Sequence, residues 1–237
     1  MFCWMCKKMN PPRASNAAGK IVYSHPARGK SVYVNLTPRY ACTNKCVFCD
    51  KLALEQLVDA NLSLERAPKA SEVLRELREM ITRKTPWIVF CGIGEPTLYL
   101  NSLLEITRTV KKDFPRVRVR VDTNGHAKLM PQNKKRDVVG ELKQAGVDAV
   151  SVSLNALTPA DYKRVCRPQF KNAFAGVQEF VRECVNKGLK TRVSFVKGVR
   201  GLKMGRNEAV ALARKLGVEK KNVLFREYIS RKEFGGI

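Results

Sequence analysis

Cys42, Cys46 and Cys49 stand in the spacing C-x3-C-x2-C, directly after the apolar run Ser31-Val32-Tyr33-Val34-Asn35-Leu36. Thiolates are the soft ligands that hold iron–sulfur clusters, and three of them this close converge on one centre when the loop wraps around it. Three ligands on a four-iron cluster leave one iron open to a substrate or cosubstrate, as a catalytic zinc keeps an open position. With eight cysteines in 237 residues, the spacing arises by chance about 0.01 times per chain. Zinc is the rival occupant, and its fourth ligand would come from Cys3, Cys6 or His25.

A loop of this kind needs a frame to hold it. Apolar β-branched runs alternate with helical segments from residue 31 onward. Six βα units are predicted, with strands at Val32–Leu36, Trp87–Cys91, Val117–Val121, Ala149–Leu154, Lys190–Val196 and Asn222–Glu227. Helices are expected near Ala70–Arg83, Leu103–Asp113, Lys134–Ala145, Pro159–Cys166, Ala173–Lys187 and Arg206–Leu216. Val73, Leu77 and Met80 recur at helical spacing, as do Val177, Phe180, Val181 and Val185. Such alternation means parallel strands with right-handed crossovers, which makes the expected fold α/β, a partial (β/α)6 TIM-like barrel that is laterally open. The strands should be buried on both faces and so read as continuous apolar runs. Residues 1–30 read as an irregular lead-in, in which Ile21-Val22-Tyr23 adds a short edge strand, and 31–237 as one domain.

In parallel α/β folds, ligands sit at the carboxyl ends of the strands. The second strand runs into Cys91-Gly92-Ile93-Gly94-Glu95-Pro96-Thr97, where Gly92 and Gly94 let backbone approach a ligand, Pro96 stops the strand and Glu95 offers an acceptor. Cys91 itself reads as a buried apolar residue. The third strand ends in Asp122-Thr123-Asn124-Gly125, a tight-turn signal. In the fourth, Ser153 and Asn155 share a side by period two. Beyond it lie Arg167, an arginine suited to bidentate pairing with a carboxylate, then Ser194 and Arg226-Glu227-Tyr228.

The balance of 45 Lys plus Arg against 21 Asp plus Glu leaves a net charge of +24. That field concentrates polyanions and points to nucleic acid, an acidic protein or an anionic membrane face. The aromatic-rich sheet signature of an RNA-recognition module is absent. No run approaches the apolar length needed to span a bilayer, and the start does not read as a signal peptide, so a cytoplasmic protein with reduced thiols is expected. From the short tail after the sixth strand, no appended cluster domain is expected at the C-terminus.

The cysteine loop resembles that of the radical S-adenosylmethionine (SAM) superfamily, whose hallmark adds an aromatic residue before the last cysteine, here Phe48. The resemblance implies a [4Fe-4S] cluster on Cys42, Cys46 and Cys49, with SAM chelated by the open iron. It implies reductive cleavage of SAM to a 5′-deoxyadenosyl radical that takes hydrogen from a substrate, with electrons from a flavodoxin- or ferredoxin-like donor. Gly92, Gly94 and Glu95 then match the motif that holds the methionine amino group, and Thr123 and Asn124 lie beside SAM. Ser153 and Asn155 reach its ribose, Arg167 its carboxylate, and Arg226 adenine or substrate. The ordered set Val34-Asn35-Leu36-Thr37, Phe90–Thr97, Thr123-Asn124-Gly125, Ser151–Ala156, Cys166-Arg167-Pro168 and Arg226–Ile229 is similar to the radical SAM proteins associated with TatD-family nucleases. That likeness covers about residues 31–229. The basic surface and the Cys3 and Cys6 lead-in depart from it. An open barrel side suits a macromolecule, nucleic acid ahead of peptide. The alternatives are a glycyl-radical activase of a partner enzyme and, in another class, a zinc-bearing basic nucleic-acid-binding protein.

Overall fold

The computed structural model describes residues 19–25, 29–49 and 51–228. Cys3, Cys6 and most of the lead-in lie outside them. Seven strands form one sheet in sequential order: β1 Val22–Ser24, β2 Val32–Val34, β3 Trp87–Phe90, β4 Arg118–Thr123, β5 Ala149–Ser153, β6 Lys190–Lys197 and β7 Val223–Glu227. From β2 to β7 all neighbours are parallel. The expected edge strand is present as β1, and it runs antiparallel to β2, so the sheet is not wholly parallel. A strand following its neighbour after so short a link has no room for a crossover and must turn back.

Among the described residues seven α-helices accompany the sheet: α1 Lys51–Val58, α2 Ala70–Met80, α3 Leu100–Asp113, α4 Val138–Ala145, α5 Pro159–Cys166, α6 Ala173–Asn186 and α7 Arg206–Lys215. Their starts obey local chemistry. Thr158 caps α5 by accepting from the Asp161 N–H with Pro159 at the first turn, and Asp137 caps α4 through the Gly140 N–H. Helix α1, which the sequence did not signal, follows the cysteine loop directly.

The two faces of the sheet differ sharply. Val73, Leu77, Leu103, Ile106, Val177 and Phe180 pack from the helices against Ile88, Phe90, Val119, Val121, Val150 and Val152 on the outer face, all fully buried. The inner face holds only a small apolar group, in which Val58 and Leu62 cover Tyr23, Tyr33, Val89 and Ile93 at the β1–β3 side. Along β4 the outward residues are buried while Arg118 is exposed and Arg120 and Asp122 are half-buried. The expectation of strands buried on both faces holds for β2, for most of β3 and for β5 up to its last residue, and is corrected for β4 and the start of β6, where buried residues alternate with Arg118, Arg120, Asp122, Lys190 and Arg192.

Candidate active site

The three cysteines lie on an irregular loop across the carboxyl ends of the strands, and main-chain hydrogen bonds pin it on two sides. On the β3 side, the Glu95 N–H donates to the Ala41 carbonyl at 2.9 Å. On the α5 side, the N–H groups of Lys45 and Val47 donate to the carbonyls of Cys166 and Val165, at 3.0 and 2.9 Å. The Gln169 N–H returns a bond to the Thr43 carbonyl at 3.0 Å. Left-handed backbone at non-glycine residues gathers here: Arg39 at φ 47°, Tyr40 at 58°, Asn155 at 57° and Arg167 at 45°. Each such residue costs about 1–3 kcal/mol, and such strain concentrates at functional sites.

Gly92 and Gly94 serve this loop rather than a bare ligand surface. A Cβ on Gly92 would lie 2.4 Å from Asn35 Oδ1, and one on Gly94, at φ 143°, 2.5 Å from the Ala41 carbonyl and Thr37 Oγ1. The expectation that these glycines open the backbone to a ligand is refined: what approaches them is the base of the cysteine loop. Glu95 is likewise not a free acceptor. Its buried carboxylate receives the Thr97 N–H and hydroxyl and the Thr123 hydroxyl on Oε1, and the Asn124 N–H on Oε2 at 2.7 Å. Burial raises its pKa while these donors oppose the shift. Glu95 thus staples the end of β3 to the end of β4.

Behind the loop lies a buried polar network that the sequence did not reveal. Asn124 Nδ2 donates to Thr43 Oγ1 at 2.8 Å and reaches Cys42 Sγ at 3.6 Å. His126 sits between Thr43 Oγ1 and the Tyr162 hydroxyl, each 2.9 Å from one ring nitrogen. Asn44 Nδ2 donates to the same hydroxyl at 3.4 Å. Burial lowers the His126 pKa to about 4, so the ring is neutral and donates from one nitrogen while accepting at the other. Only two histidines occur in the chain, and a lone His-Ala pair after a turn carried no signal of this role.

Cys42 and Cys46 are half-buried and Cys49 is exposed, and none of the three is in a disulfide. Burial, and then the negative charge of Glu95, push the Cys42 thiol up to about 12, while N–H donors from Asn44 and Asn124 pull the other way. Hydrogen bonding to the Cys166 thiol and burial raise Cys46. Among the described residues no three metal-ligating side chains share one coordination sphere, and Cys46 is turned onto Cys166. The donor set nevertheless fits an iron–sulfur cluster: three soft thiols on one anchored loop, with N–H groups aimed at sulfur as cluster ligands require.

The remaining predicted residues divide. Phe48 packs half-buried against the core. Ser153 is the last residue of β5 and faces inward near Arg226, whose Nη2 lies 3.5 Å from its hydroxyl. Asn155 lies beyond the strand in the left-handed region, so period two does not relate it to Ser153. Its buried Oδ1 has no hydrogen-bond partner among the described residues, an acceptor at the strand ends. Arg167 is the left-handed C-cap of α5 and exposed, and its carbonyl receives the Lys45 N–H at 3.3 Å.

A family model described as the radical SAM superfamily matches residues 36–213. The chain belongs to that superfamily, as a radical SAM iron–sulfur enzyme whose cofactors are a [4Fe-4S] cluster and SAM. It is 25% identical over 211 residues to a GTPase Obg of Brachyspira hyodysenteriae, covering 83% of this chain and 30% of that protein. It is 29% identical over 197 residues to a probable GTP 3′,8-cyclase of Methanococcus aeolicus, covering 82% and 58%. Streptococcus suis SuiB shares the fold at a TM-score of 0.61 and 17% identity, over 86% of this chain and 41% of that one. The chain thus spans less than two thirds of these relatives. Family membership displaces the zinc-bearing binder. No helix among the described residues is long and apolar enough to cross a membrane.

Proposed function

We propose that Cys42, Cys46 and Cys49 hold the cluster and that the enzyme abstracts hydrogen from nucleic acid, as a member of the subgroup associated with TatD-family nucleases. The observation that carries the ligand assignment is the anchored loop itself, with Asn124 and the Asn44 N–H directed at Cys42 sulfur. When bound, a reduced cluster with one open iron supplies the electron that splits SAM into methionine and a 5′-deoxyadenosyl radical. The chain's own residues position the partners. Glu95 and its four donors fix the β3 and β4 ends on which SAM rests, next to the turn of Gly92, Gly94, Thr123 and Asn124. Asn155 Oδ1 accepts from a ribose hydroxyl, Ser153 stands beside it, Phe48 closes the cluster's flank, and Arg167 pairs with the SAM carboxylate from the end of α5. A flavodoxin- or ferredoxin-like protein delivers the electron to exposed Cys49. Nucleic acid is favoured over peptide by the net charge of +24 and by the GTP-named relatives.

Iron content tests the ligand set. Anaerobic reconstitution with iron and sulfide should give brown protein with about four irons per chain, and Cys42→Ala, Cys46→Ala and Cys49→Ala should each abolish it. Cys166→Ser should keep it. Loss of iron in the Cys166 variant, with retention in the Cys46 variant, would overturn the assignment.

A further inference from the structure

Asn124 is committed at every polar atom of its side chain, and its surroundings fix which way the amide faces. Its Oδ1 accepts the His126 main-chain N–H at 3.0 Å. A main-chain N–H can only donate, so the atom that meets it is the oxygen and the opposite atom is the amide nitrogen. Nδ2 then offers one hydrogen to Thr43 Oγ1 at 2.8 Å and the other to Cys42 Sγ at 3.6 Å. The Asn44 N–H meets the same sulfur at 3.4 Å. Cys42 thus faces two N–H donors, one from its own loop and one from the end of β4.

The side-chain donor is held from behind. Thr43 Oγ1 lies 2.9 Å from His126 Nδ1, and His126 Nε2 lies 2.9 Å from the Tyr162 hydroxyl. A chain of contacts therefore runs from α5 through the β4 end to the sulfur: Tyr162, His126, Thr43, Asn124, Cys42. Phe170 meets the His126 ring edge-on with centroids 5.6 Å apart, and Phe174 packs on Tyr162 at 5.4 Å. Thr43, Asn124, His126 and Tyr162 are all buried. A buried polar group left unpaired costs about 1–3 kcal/mol, so each member holds its neighbours to one geometry. Anchoring the loop does not call for this chain, since main-chain bonds at Ala41, Thr43, Lys45 and Val47 already pin it. What the chain adds is a donor aimed at sulfur.

Donors on a ligating thiolate withdraw negative charge from it and favour the more negative, reduced state of the cluster it holds. The Glu95 carboxylate acts on Cys42 in the opposite sense. Asn124 answers both, its main-chain N–H donating to Glu95 Oε2 at 2.7 Å and its side chain to Cys42. We propose that Thr43 and His126 are positioning residues for the reductive step: they hold the Asn124 amide on Cys42 sulfur, and the amide raises the reduction potential of the cluster bound there. In that step one electron enters from the donor protein, no bond to Cys42 forms or breaks, and Asn124 keeps its protons. The inference rests on Cys42 being a cluster ligand and deepens that reading.

The test is an anaerobic redox titration of the reconstituted holoenzyme without SAM, followed by the electron paramagnetic resonance of the reduced cluster. Only chains that hold iron contribute, so the midpoint does not depend on the yield of loading. Asn124→Ala removes the donor, and Thr43→Val removes the hydroxyl that orients it at nearly the same shape. Thr43→Ser keeps that hydroxyl. Thr107→Val removes another buried hydroxyl, which donates to the Leu103 carbonyl within α3, away from the loop. Asn124→Ala and Thr43→Val should each weaken the one-electron reduction by more than twofold and up to about tenfold, lowering the midpoint by about 18 to 59 mV. Thr43→Ser and Thr107→Val should change it less than twofold. A change below twofold in loaded Asn124→Ala or loaded Thr43→Val would overturn the inference, as would an equal fall in Thr43→Ser or Thr107→Val. Loss of iron from both Asn124→Ala and Thr43→Val would overturn it too, because the chain would then retain the cluster rather than poise it. Failure of the ligand assignment shows separately, as iron retained by Cys42→Ala.

Discussion

Glu95 carries more of this site than its place in a glycine-rich turn suggests. Its carboxylate gathers two main-chain N–H groups and two hydroxyls at the meeting point of β3 and β4. Glu95→Gln would turn an amide N–H toward those donors and leave at least one buried donor unsatisfied, a cost of about 1–3 kcal/mol. Urea unfolding should show that loss, with lowered iron content, because Asn124 also reaches Cys42. His126 makes a pH-dependent prediction. Its folded pKa of about 4 lies below the usual value near 6.5, so between these pH values the unfolded chain binds the additional proton. Stability therefore rises with pH across that window and is lost as pH falls, by about 3 kcal/mol in total. The titratable neighbour facing the ring is Tyr162, itself raised by burial and so neutral throughout. His126→Gln, which hydrogen-bonds without titrating, should flatten the pH dependence of urea unfolding between pH 4 and 6.5; an unchanged slope would refute this origin.

At the scale of elements, separate parts of the frame stabilise the fold and shape the loop. Phe180 on α6 is fully buried against the sheet, and Phe180→Ala should cost about 3–5 kcal/mol while the folded protein still binds iron. Gly94→Ala acts in the opposite sense. A Cβ there meets the Ala41 carbonyl and Thr37 Oγ1 in a conformation that L residues avoid, so the cysteine loop must move away from β3. Iron incorporation should drop more than thermal stability does. The helix–strand rhythm was legible because Val73, Leu77, Val177 and Phe180 mark one outward stripe each, and α5 was read to the residue from Thr158-Pro159 at its start. Helix α1 was not, since Lys51–Val58 is only two turns long and has no acidic residue in its first turn. The inner face was hidden for a different reason. Arg118, Arg120 and Asp122 alternate with valines in plain view, the period-two pattern of a strand buried on one face, but the expectation of a parallel sheet covered on both sides set that pattern aside. At the strand ends the three cysteines and the glycine turn could be read from their residue types. The Thr43–His126–Tyr162 network could not, because it joins three segments distant in sequence.

At the scale of the whole molecule, a net charge of +24 draws polyanions from a distance. Affinity for a single-stranded RNA should then fall steeply with salt, with log K linear in log salt. The most direct test of the central claim is 5′-deoxyadenosine formation by the reconstituted protein with dithionite and SAM, measured beside a Cys42/Cys46/Cys49→Ala triple variant. Brown wild-type protein that makes 5′-deoxyadenosine, beside a colourless variant that makes none, is the predicted result. Intact SAM with the fully loaded wild type, or equal product from the triple variant, would contradict it.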